Sequence, residues 1–340
     1  MSMTYDVAVV GATGLVGETV LSILEQRDFP VGAIYLLASE RSAGTKIQFQ
    51  GKNISVENLQ DFDFSQTQIA WFCAGGSTSE KYAPIAADSG CIVIDNSSFF
   101  RNDFDVPLII PEVNPDSLIN YTARNIIANP NCSTIQMLLA LAPIHREVGI
   151  ERINVSTYQA VSGSGKAGLE ELAKQTTSLL NAREVEVNVY SQQIAFNVLP
   201  HIDVFQDNGY TREEMKMVWE THKILEDESI AVNPTCVRVP VFHGHSEAVH
   251  IDTAGYISAD EVRALLGNSE GVEVIDSPQT QEYASAVVNG SGSDKVFVSR
   301  IREDLAGNNG INLWVVSDNG RKGAALNAVQ IAELLIEKYL

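Results

Sequence analysis

The sequence predicts a two-domain α/β protein, in which a parallel-sheet domain is followed by an α+β domain with a mixed sheet. The chain has 340 residues, which is more than one ordinary hydrophobic core accommodates. Strand-like and helix-like segments alternate over about the first 130 residues, as is typical of a parallel sheet covered by helices on both faces. Longer β-rich runs separated by helices follow, and these favour a mixed or antiparallel sheet.

Runs of apolar residues define the elements of the first domain. The segment YDVAVVGA at residues 5–12 predicts a buried strand, and a helix is expected from about Leu15 to Gln26. Three more strands are predicted at AIYLLAS, IAWFCAGG and CIVIDNSS, with a helix at SEKYAPIAADSG between the last two.

The second domain is predicted from β-branched runs and amphipathic helices. The β-rich runs are RINVSTYQAVSG, IAFNVLPHI, CVRVPVF and EAVHIDTAG, and the helices are KAGLEELAKQTTSLL and REEMKMVWETHKILED. The last segment, RKGAALNAVQIAELLIEKYL, has helical spacing over about five turns, and packing against the first domain would bury its apolar face. We therefore expect a first domain of residues 1–130 plus 320–340 and a second of residues 131–319.

Composition argues against two classes of partner. The sequence has 43 acidic and 23 basic residues, and the resulting net charge of −20 disfavours binding to nucleic acid or to anionic membranes. No apolar run approaches the roughly 18 residues of a membrane helix, and the chain does not start with a basic-then-apolar segment. We expect no nucleic-acid or membrane partner and a small-molecule ligand.

The cysteines indicate a reducing environment. Four are present, and their wide spacing without a C-x-x-C pair is typical of neither a disulfide framework nor a zinc site: Cys73, Cys91, Cys132 and Cys236. A cytoplasmic protein without a bound metal is expected.

The glycine-rich loop after the first strand predicts a Rossmann-like dinucleotide-binding domain. In GATGLVG, glycines at three-residue spacing permit a tight turn and let a pyrophosphate approach the N–H groups that open the next helix. A plain strand-to-helix turn is the alternative, but the order strand, glycines, helix favours nucleotide binding. The cofactor-binding residues predicted here are Gly11, Thr13, Gly14, Leu15, Val16 and Gly17.

The end of the second strand favours NADP over NAD. An NAD enzyme usually has an acid here for the ribose hydroxyl. ASERSAG instead offers Ser39, Arg41 and Ser42, and although Glu40 is present, its neighbour Arg41 suits a 2′-phosphate. A solvated loop with incidental charge is the alternative. Gly75, after the third strand, is expected near the nicotinamide side, and the adjacent Cys73 is interpreted as a small filler.

NPNCST at residues 129–134 places a cysteine at the start of an apolar helix. Unpaired N–H groups and the dipole at a helix N-terminus stabilise a thiolate, so Cys132 is a candidate nucleophile. A buried packing thiol is the alternative, since free cysteine is among the most buried residue types.

Taken together, GATGLVG, SERSAG, NPNCST and RVPVFHGHSEAV closely resemble the aspartate-semialdehyde dehydrogenase family. The resemblance extends along the chain through SSFFR, PEVN, TYQAVSGSGKAG, QIAFNVLPHID, REEMKMVWETHKIL and DNGRKGAALNAVQIAE. It implies NADPH-dependent reduction of 4-phospho-L-aspartate to L-aspartate 4-semialdehyde with release of phosphate, on the branch toward lysine, methionine, threonine and isoleucine. It also implies a homodimer formed through the second domain. The departures, His243 and Gly320, match no catalytic position of the family.

The resemblance implies roles for individual residues. Cys132 is the nucleophile that carries the acyl group as a thioester, and His245 is the general acid/base, a role suited to a side chain that titrates near neutrality. For substrate binding it implies Arg238 on the α-carboxylate, Glu220 on the α-ammonium, and Arg101 and Lys223 on phosphate. It implies that Gln159 is catalytic and orients the substrate by holding its acyl carbonyl, while Asn131, beside the nucleophile, is expected to donate to the phosphate or acyl oxygen. Ser162 and Gly163 are expected along the nicotinamide end of the cofactor, and Asn319 is expected to contact the cofactor from the far side.

Two alternatives remain open from the sequence. N-acetyl-γ-glutamyl-phosphate reductase performs the same chemistry, but its nucleophile turn resembles P-G-C-Y-P, and its blocked amine would have no use for Glu220. A non-catalytic NADP-binding paralogue is the second alternative, although it would have no physical reason to retain both Cys132 and His245.

Overall fold

A computed structural model describes residues 3–306 and 309–340 of the chain. They form two compact units, Met1–Pro130 with Ala324–Leu340 and Asn131–Gly323. The chain returns to the first unit at Ala324, four residues after residue 320, because Gly323 packs within the second unit, where a Cβ on it would lie 3.0 Å from Cys132 Cβ. There, Asn319 accepts a hydrogen bond from Ser162.

The first unit contains a seven-stranded sheet. Its elements are β1 Tyr5–Val10, α1 Leu15–Gln26, β2 Val31–Ala38, β3 Lys46–Phe49, β4 Lys52–Asn58, β5 Ile69–Phe72, α2 Gly76–Asp88, β6 Ile92–Asp95 and β7 Ile126–Ala128. The strand order is β3-β4-β2-β1-β5-β6-β7, and all pairs are parallel except β3–β4. The predicted parallel-sheet class and its four predicted strands are confirmed, whereas β3, β4 and β7 were not predicted.

The second unit is built on a six-stranded mixed sheet. Its elements are α3 Cys132–Val148, β8 Ile150–Gln159, α4 Gly165–Leu180, α5 Arg212–Leu225, β9 Ala231–Arg238, β10 His245–Thr253, α6 Ala259–Gly267, β11 Val272–Val274, β12 Asp276–Ser277, β13 Glu282–Tyr283, β14 Val296–Glu303 and β15 Gly310–Ser317. The order is β11-β14-β15-β10-β8-β9, with β8–β9 and β11–β14 parallel and the other pairs antiparallel. The α+β class with a mixed sheet is confirmed.

One β-rich run of the second domain does not form a regular strand. IAFNVLPHI contributes a single bridge, in which Leu199 pairs with Arg238. Phe196 has φ +60, a left-handed conformation that interrupts an extended strand, and Pro200 has no N–H to donate to a ladder.

The C-terminal helix α7, Leu326–Lys338, belongs to the first unit. It is shorter than the predicted five turns, because Arg321–Ala325 form a π-helical turn before it. The Trp71 indole N–H donates to the Ala328 carbonyl over 3.0 Å, and Arg27 pairs with Glu333 at 2.7 Å. Burial of its apolar face against the strands of this unit explains why a helix so distant in sequence returns here.

Candidate active site

Cys132 is the first residue of α3, which begins immediately after the Asn129–Asn131 turn. The Asn131 side chain caps the helix, with Oδ1 accepting from the Ser133 N–H at 3.0 Å and the Thr134 N–H at 3.4 Å. Cys132 is half-buried, whereas nearly all the following residues of the helix are buried. The thiol therefore meets the positive end of a long, fixed helix dipole, which favours its ionised form.

Two glutamates of α5 hold the residue before the nucleophile. The Asn131 backbone N–H donates to Glu220 Oε2 at 2.6 Å, and Asn131 Nδ2 donates to Glu213 Oε1 at 2.9 Å. The same Glu213 oxygen accepts from Gln159 Nε2 at 3.0 Å. The structure thus brings together the predicted residues Asn131, Gln159 and Glu220, and it adds Glu213, which the sequence did not identify.

His245 lies at the other end of this group, fully buried at the start of β10. The Ala160 N–H donates to His245 Nδ1 over 3.0 Å, so the neutral ring carries its proton on Nε2, which lies 3.5 Å from Gln159 Nε2. Burial and the nearby Arg238 charge lower the pKa of His245 to about 3, although the Glu213 charge opposes the decrease. The expectation that His245 titrates near neutrality is therefore wrong for this structure.

Arg238 ends β9, and its guanidinium lies beside His245. It is 5% exposed, and Nη1 donates to the Ala160 carbonyl at 2.7 Å. Its Nε has no acceptor among residues 3–306 and 309–340, which leaves a buried cationic donor suited to an anionic ligand. Gly163 packs against this group, because a Cβ there would lie 2.8 Å from Arg238 Nη1 and 3.6 Å from His245 Cε1.

The remaining predicted residues of the second unit are Ser162, Asn319 and Lys223. Asn319 Oδ1 accepts from the Ser162 hydroxyl and from the Gly244 N–H, both at 3.0 Å, so these residues gather next to His245. Lys223 is partly buried in the last turn of α5.

Arg101 lies in the first unit, after β6. It is 7% exposed, and Nη2 donates to the Asn96 carbonyl at 3.0 Å. Nearby, the Ser79 and Ser97 hydroxyls each donate to Asp95 at 2.7 Å. Burial raises the pKa of Asp95 above its usual value, and these hydroxyls and the Arg101 charge oppose the rise.

The glycine loop of the first unit has the geometry of a phosphate cradle. Gly11 has φ +82, and a Cβ there would lie 2.8 Å from the Cys73 carbonyl oxygen. Gly14 is the N-cap of α1 and has no side chain to bond the first N–H groups of the helix. A Cβ at Gly17 would overlap the Gly11 carbonyl. Close backbone approach at the open end of a helix is what a bound pyrophosphate requires.

The other predicted cofactor residues lie at the same edge of the sheet. β2, β1 and β5 are adjacent and parallel, so the segments that follow them meet at their carboxyl ends. These segments contain the glycine loop, the exposed turn with Ser39, Arg41 and Ser42, and Gly75 at the N-cap of α2. The residues present therefore fit a dinucleotide.

The other three thiols are unsuited to nucleophilic chemistry. Burial raises the pKa of Cys73, and the Asp95 charge raises it further. Burial also raises the pKa of Cys91 to about 12 and that of Cys236 well above its usual value. These thiols stay protonated near neutral pH.

Sequence reasoning missed Glu213 and its ion-pair partner Lys216, although a signal for them exists. The α5 sequence contains Glu-x-x-Lys twice, at Glu213–Lys216 and Glu220–Lys223. Seven residues are close to two helical turns, so both pairs lie on one face. Lys216 Nζ lies 2.9 Å from Glu213 Oε2 and 2.8 Å from Asp203 Oδ2.

Within residues 3–306 and 309–340, no helix has both the length and the apolar character that crossing a membrane requires.

Comparison with known families gives two matches that together span most of the chain. Residues 6–121 match the semialdehyde dehydrogenase NAD binding domain, and residues 141–322 match the semialdehyde dehydrogenase dimerisation domain.

Individual relatives agree with these matches. Aspartate-semialdehyde dehydrogenase 2 of Vibrio cholerae is 58% identical over 339 residues, covering 100% of both chains. The aspartate-semialdehyde dehydrogenase of Aquifex aeolicus is 53% identical, covering 99% of this chain and 100% of its own. The crystal structure of the Vibrio cholerae aspartate semialdehyde dehydrogenase II complexed with ASA covers 100% of both chains, with a TM-score of 0.98 and 58% identity.

Proposed function

The chain belongs to the semialdehyde dehydrogenase family, and on this premise we propose that it catalyses NADPH-dependent reductive dephosphorylation of 4-phospho-L-aspartate to L-aspartate 4-semialdehyde through a cysteine thioester. This reaction serves lysine, methionine, threonine and isoleucine biosynthesis. Its main support is a half-buried cysteine at a capped helix N-terminus, tied through Asn131, Glu213 and Gln159 to His245. Relatives with 58% and 53% identity carry the name of this enzyme.

Cys132 and Gln159 would act in the first step. The thiolate of Cys132 attacks the acyl carbon of the substrate, the carbon–sulfur bond forms, and the bond to phosphate breaks so that inorganic phosphate leaves. Gln159, anchored by Glu213 and next to His245, orients the acyl carbonyl. One difficult displacement is thereby divided into two easier steps.

His245 would act in the second step through its Nε2 proton. When bound, NADPH supplies a hydride to the acyl carbon of the thioester. The neutral ring, which the Ala160 N–H holds with its proton on Nε2, hydrogen-bonds to the acyl oxygen as negative charge develops there. The resulting thiohemiacetal oxyanion re-forms the carbonyl double bond as the carbon–sulfur bond breaks, which releases the aldehyde and returns Cys132 to the thiolate.

Substrate binding would use two arginines, a lysine and a glutamate. The buried guanidinium of Arg238 suits the α-carboxylate, because its planar fork matches a carboxylate. Glu220 accepts the α-ammonium while one of its oxygens holds the Asn131 N–H. Arg101 and Lys223 bind the phosphate that is released in the reductive direction.

The chain binds a nicotinamide cofactor, as its NAD binding domain indicates, and we propose that this cofactor is NADP. The glycine loop would hold the pyrophosphate, and Ser39, Arg41 and Ser42 would bind the 2′-phosphate. Ser162, Gly163 and Asn319 would lie at the nicotinamide end.

A cytoplasmic homodimer completes the proposal. The match to a dimerisation domain over residues 141–322 supports a dimer. The second unit also exposes apolar side chains on its sheet: Tyr158 is 38% exposed, and its ring centroid lies 5.6 Å from that of Trp314. A second copy of this chain would cover them. The four free thiols suit a reducing compartment.

The test is phosphate-dependent reduction of NADP⁺ by L-aspartate 4-semialdehyde. We expect turnover that requires phosphate, and Cys132→Ala should abolish it while Cys91→Ala, at a buried thiol of the first unit, retains it. Robust turnover by Cys132→Ala would exclude the thioester mechanism.

The family and relatives matched give no support to the two alternatives. Use of N-acetyl-γ-glutamyl phosphate would favour the first, and equally slow iodoacetamide labelling of all thiols would favour the non-catalytic paralogue.

A further inference from the structure

Glu213 lies in the first turn of α5 and is almost completely buried, with 5% of its surface exposed. Glu213 anchors Gln159 and links it to Asn131, but neither contact by itself explains why the group is a carboxylate. A buried carboxylate is costly unless it is paired and hydrogen-bonded. Its partners therefore indicate why the fold retains it.

One carboxylate oxygen of Glu213 binds two amides of the active site. Oε1 accepts from Asn131 Nδ2 at 2.9 Å and from Gln159 Nε2 at 3.0 Å. A carboxylate only accepts hydrogen bonds, so each amide must turn its nitrogen toward Glu213. The oxygen of Asn131 then faces the N–H groups of α3, and the oxygen of Gln159 accepts from the Thr157 hydroxyl at 3.0 Å.

The other oxygen of Glu213 anchors the carboxylate. Oε2 pairs with Lys216 Nζ at 2.9 Å, and Lys216 also pairs with Asp203 at 2.8 Å. Burial alone would raise the pKa of Glu213, but the Lys216 charge and the hydrogen bonds from Lys216, Asn131 and Gln159 lower it to about 2. The group therefore remains an acceptor at every pH at which the protein would work.

From this geometry we infer that Glu213 is a positioning residue, whose carboxylate fixes the amide orientations of Asn131 and Gln159 around the Cys132 nucleophile. The inference rests on the proposed function, since the thiolate at Cys132 is what the orientation serves. With Asn131 turned over, its NH₂ group would face the first N–H groups of α3, and the helix would lose its cap. The same reversal at Gln159 would change the group that faces the acyl oxygen.

The variant that tests this is Glu213→Gln, which keeps the size of the side chain but removes its charge. Its NH₂ group would face either the two amide nitrogens or the Lys216 ammonium. All of these are hydrogen-bond donors, so neither arrangement is favourable. We expect kcat for aspartate semialdehyde to fall about ten- to hundredfold with a smaller change in KM, because misplacement of the reacting groups acts mainly on turnover. The pH at which iodoacetamide alkylation of Cys132 is half-maximal should rise, since a loosened cap stabilises the thiolate less.

Glu214→Gln is the matched control. Glu214 is the next residue of the same helix and is also buried, but its carboxylate binds the Thr211 and Cys236 backbone N–H groups and touches neither amide. We expect this variant to lower Tm without changing kcat or the alkylation profile. Glu220, whose carboxylate accepts from the Asn131 N–H, is the same in both variants.

The outcomes separate this inference from the proposed function. Wild-type protein that does not use aspartate semialdehyde would overturn the proposed function alone. Alkylation needs no substrate, so it would still report on the role of Glu213 in that case. If Glu213→Gln does not fold, Glu213→Asp is measured instead, and its shorter carboxylate should lose one amide with the same direction of change. Kinetics and alkylation within about twofold of wild type, or an equal shift in Glu214→Gln, would overturn the positioning role.

Discussion

Replacing Glu247 with glutamine should stabilise the protein, and more so at higher pH. Glu247 is fully buried in β10, where its cross-strand neighbours are Thr157 and Val315. Among the described residues neither carboxyl oxygen has a hydrogen bond of good geometry, although the Gln136 and Ser133 side chains of α3 lie close enough to interact with it. Burial raises the pKa of Glu247 well above its usual 4.5, and Gln136 and Ser133 of α3 oppose only part of the rise. At a pH between the unfolded and the folded pKa of Glu247, the folded protein therefore holds a carboxylic acid where the unfolded chain has a carboxylate.

The size of the effect follows from proton linkage. Above pH 4.5, the ordinary value, the native state binds one proton more at this position than the unfolded state, so wild-type stability falls as pH rises. The slope is about 1.4 kcal/mol per pH unit until the native carboxyl ionises, and the stabilising contribution is fully present only below the unfolded pKa. Glutamine does not titrate, so the free energy of unfolding of Glu247→Gln should increase relative to wild type as pH rises, by up to about 1.4 kcal/mol per pH unit while the native carboxyl stays protonated.

Urea unfolding at several pH values between about 5 and 8 measures this difference. Trp314 on β15 lies in the strand paired with β10, so its fluorescence reports on the sheet that carries Glu247. Glu170→Gln, at an exposed position of α4, controls for the loss of one formal charge. Parallel stability curves for wild type and Glu247→Gln would mean that Glu247 titrates alike in both states, and would refute the reasoning.

Three further predictions concern the active site and the cofactor. In Gly323→Ala the new Cβ would lie 3.0 Å from Cys132 Cβ, so we expect about tenfold lower kcat and slower alkylation of Cys132, and unchanged labelling would contradict this. In Gly163→Ala the new Cβ would lie 2.8 Å from Arg238 Nη1 and would displace the guanidinium. KM for aspartate semialdehyde should therefore rise about tenfold, with less effect on kcat. An unaltered KM would contradict a role of Arg238 in substrate binding. Arg41→Ala should raise KM for NADPH about tenfold and leave KM for NADH unchanged, and equal effects on both would contradict a 2′-phosphate contact.

The sequence predicts well those features that depend on neighbouring residues. The strand–glycine–helix order at residues 5–26 and the capped turn before Cys132 both depend on local backbone chemistry, and both are present. The hairpin Lys46–Phe49 and Lys52–Asn58 escaped prediction because it is short and largely exposed at the edge of the sheet, so it has no buried apolar run.

Features that depend on tertiary surroundings could not be predicted in this way. The ordinary pKa of histidine led to the expectation that His245 titrates near neutrality, but full burial beside Arg238 keeps its ring neutral. Likewise, the two Glu-x-x-Lys pairs of α5 are equivalent in the sequence. Glu220 accepts from the Asn131 backbone and Glu213 from its side chain. This difference depends on how α5 packs against α3, which the sequence does not show.

Glu213 and Glu247 show why side-chain identity alone does not determine the charge of a buried group. Both are buried glutamates of the same unit. Glu213 faces Lys216 and two amide donors, which lower its pKa to about 2, whereas burial raises the pKa of Glu247 well above its usual value. The same substitution to glutamine should therefore impair turnover at the first position and raise stability at the second. If burial or residue type alone decided the outcome, both substitutions would change stability and turnover in the same direction. Opposite effects in Glu213→Gln and Glu247→Gln, measured side by side, would show that the surroundings of each carboxyl group decide it.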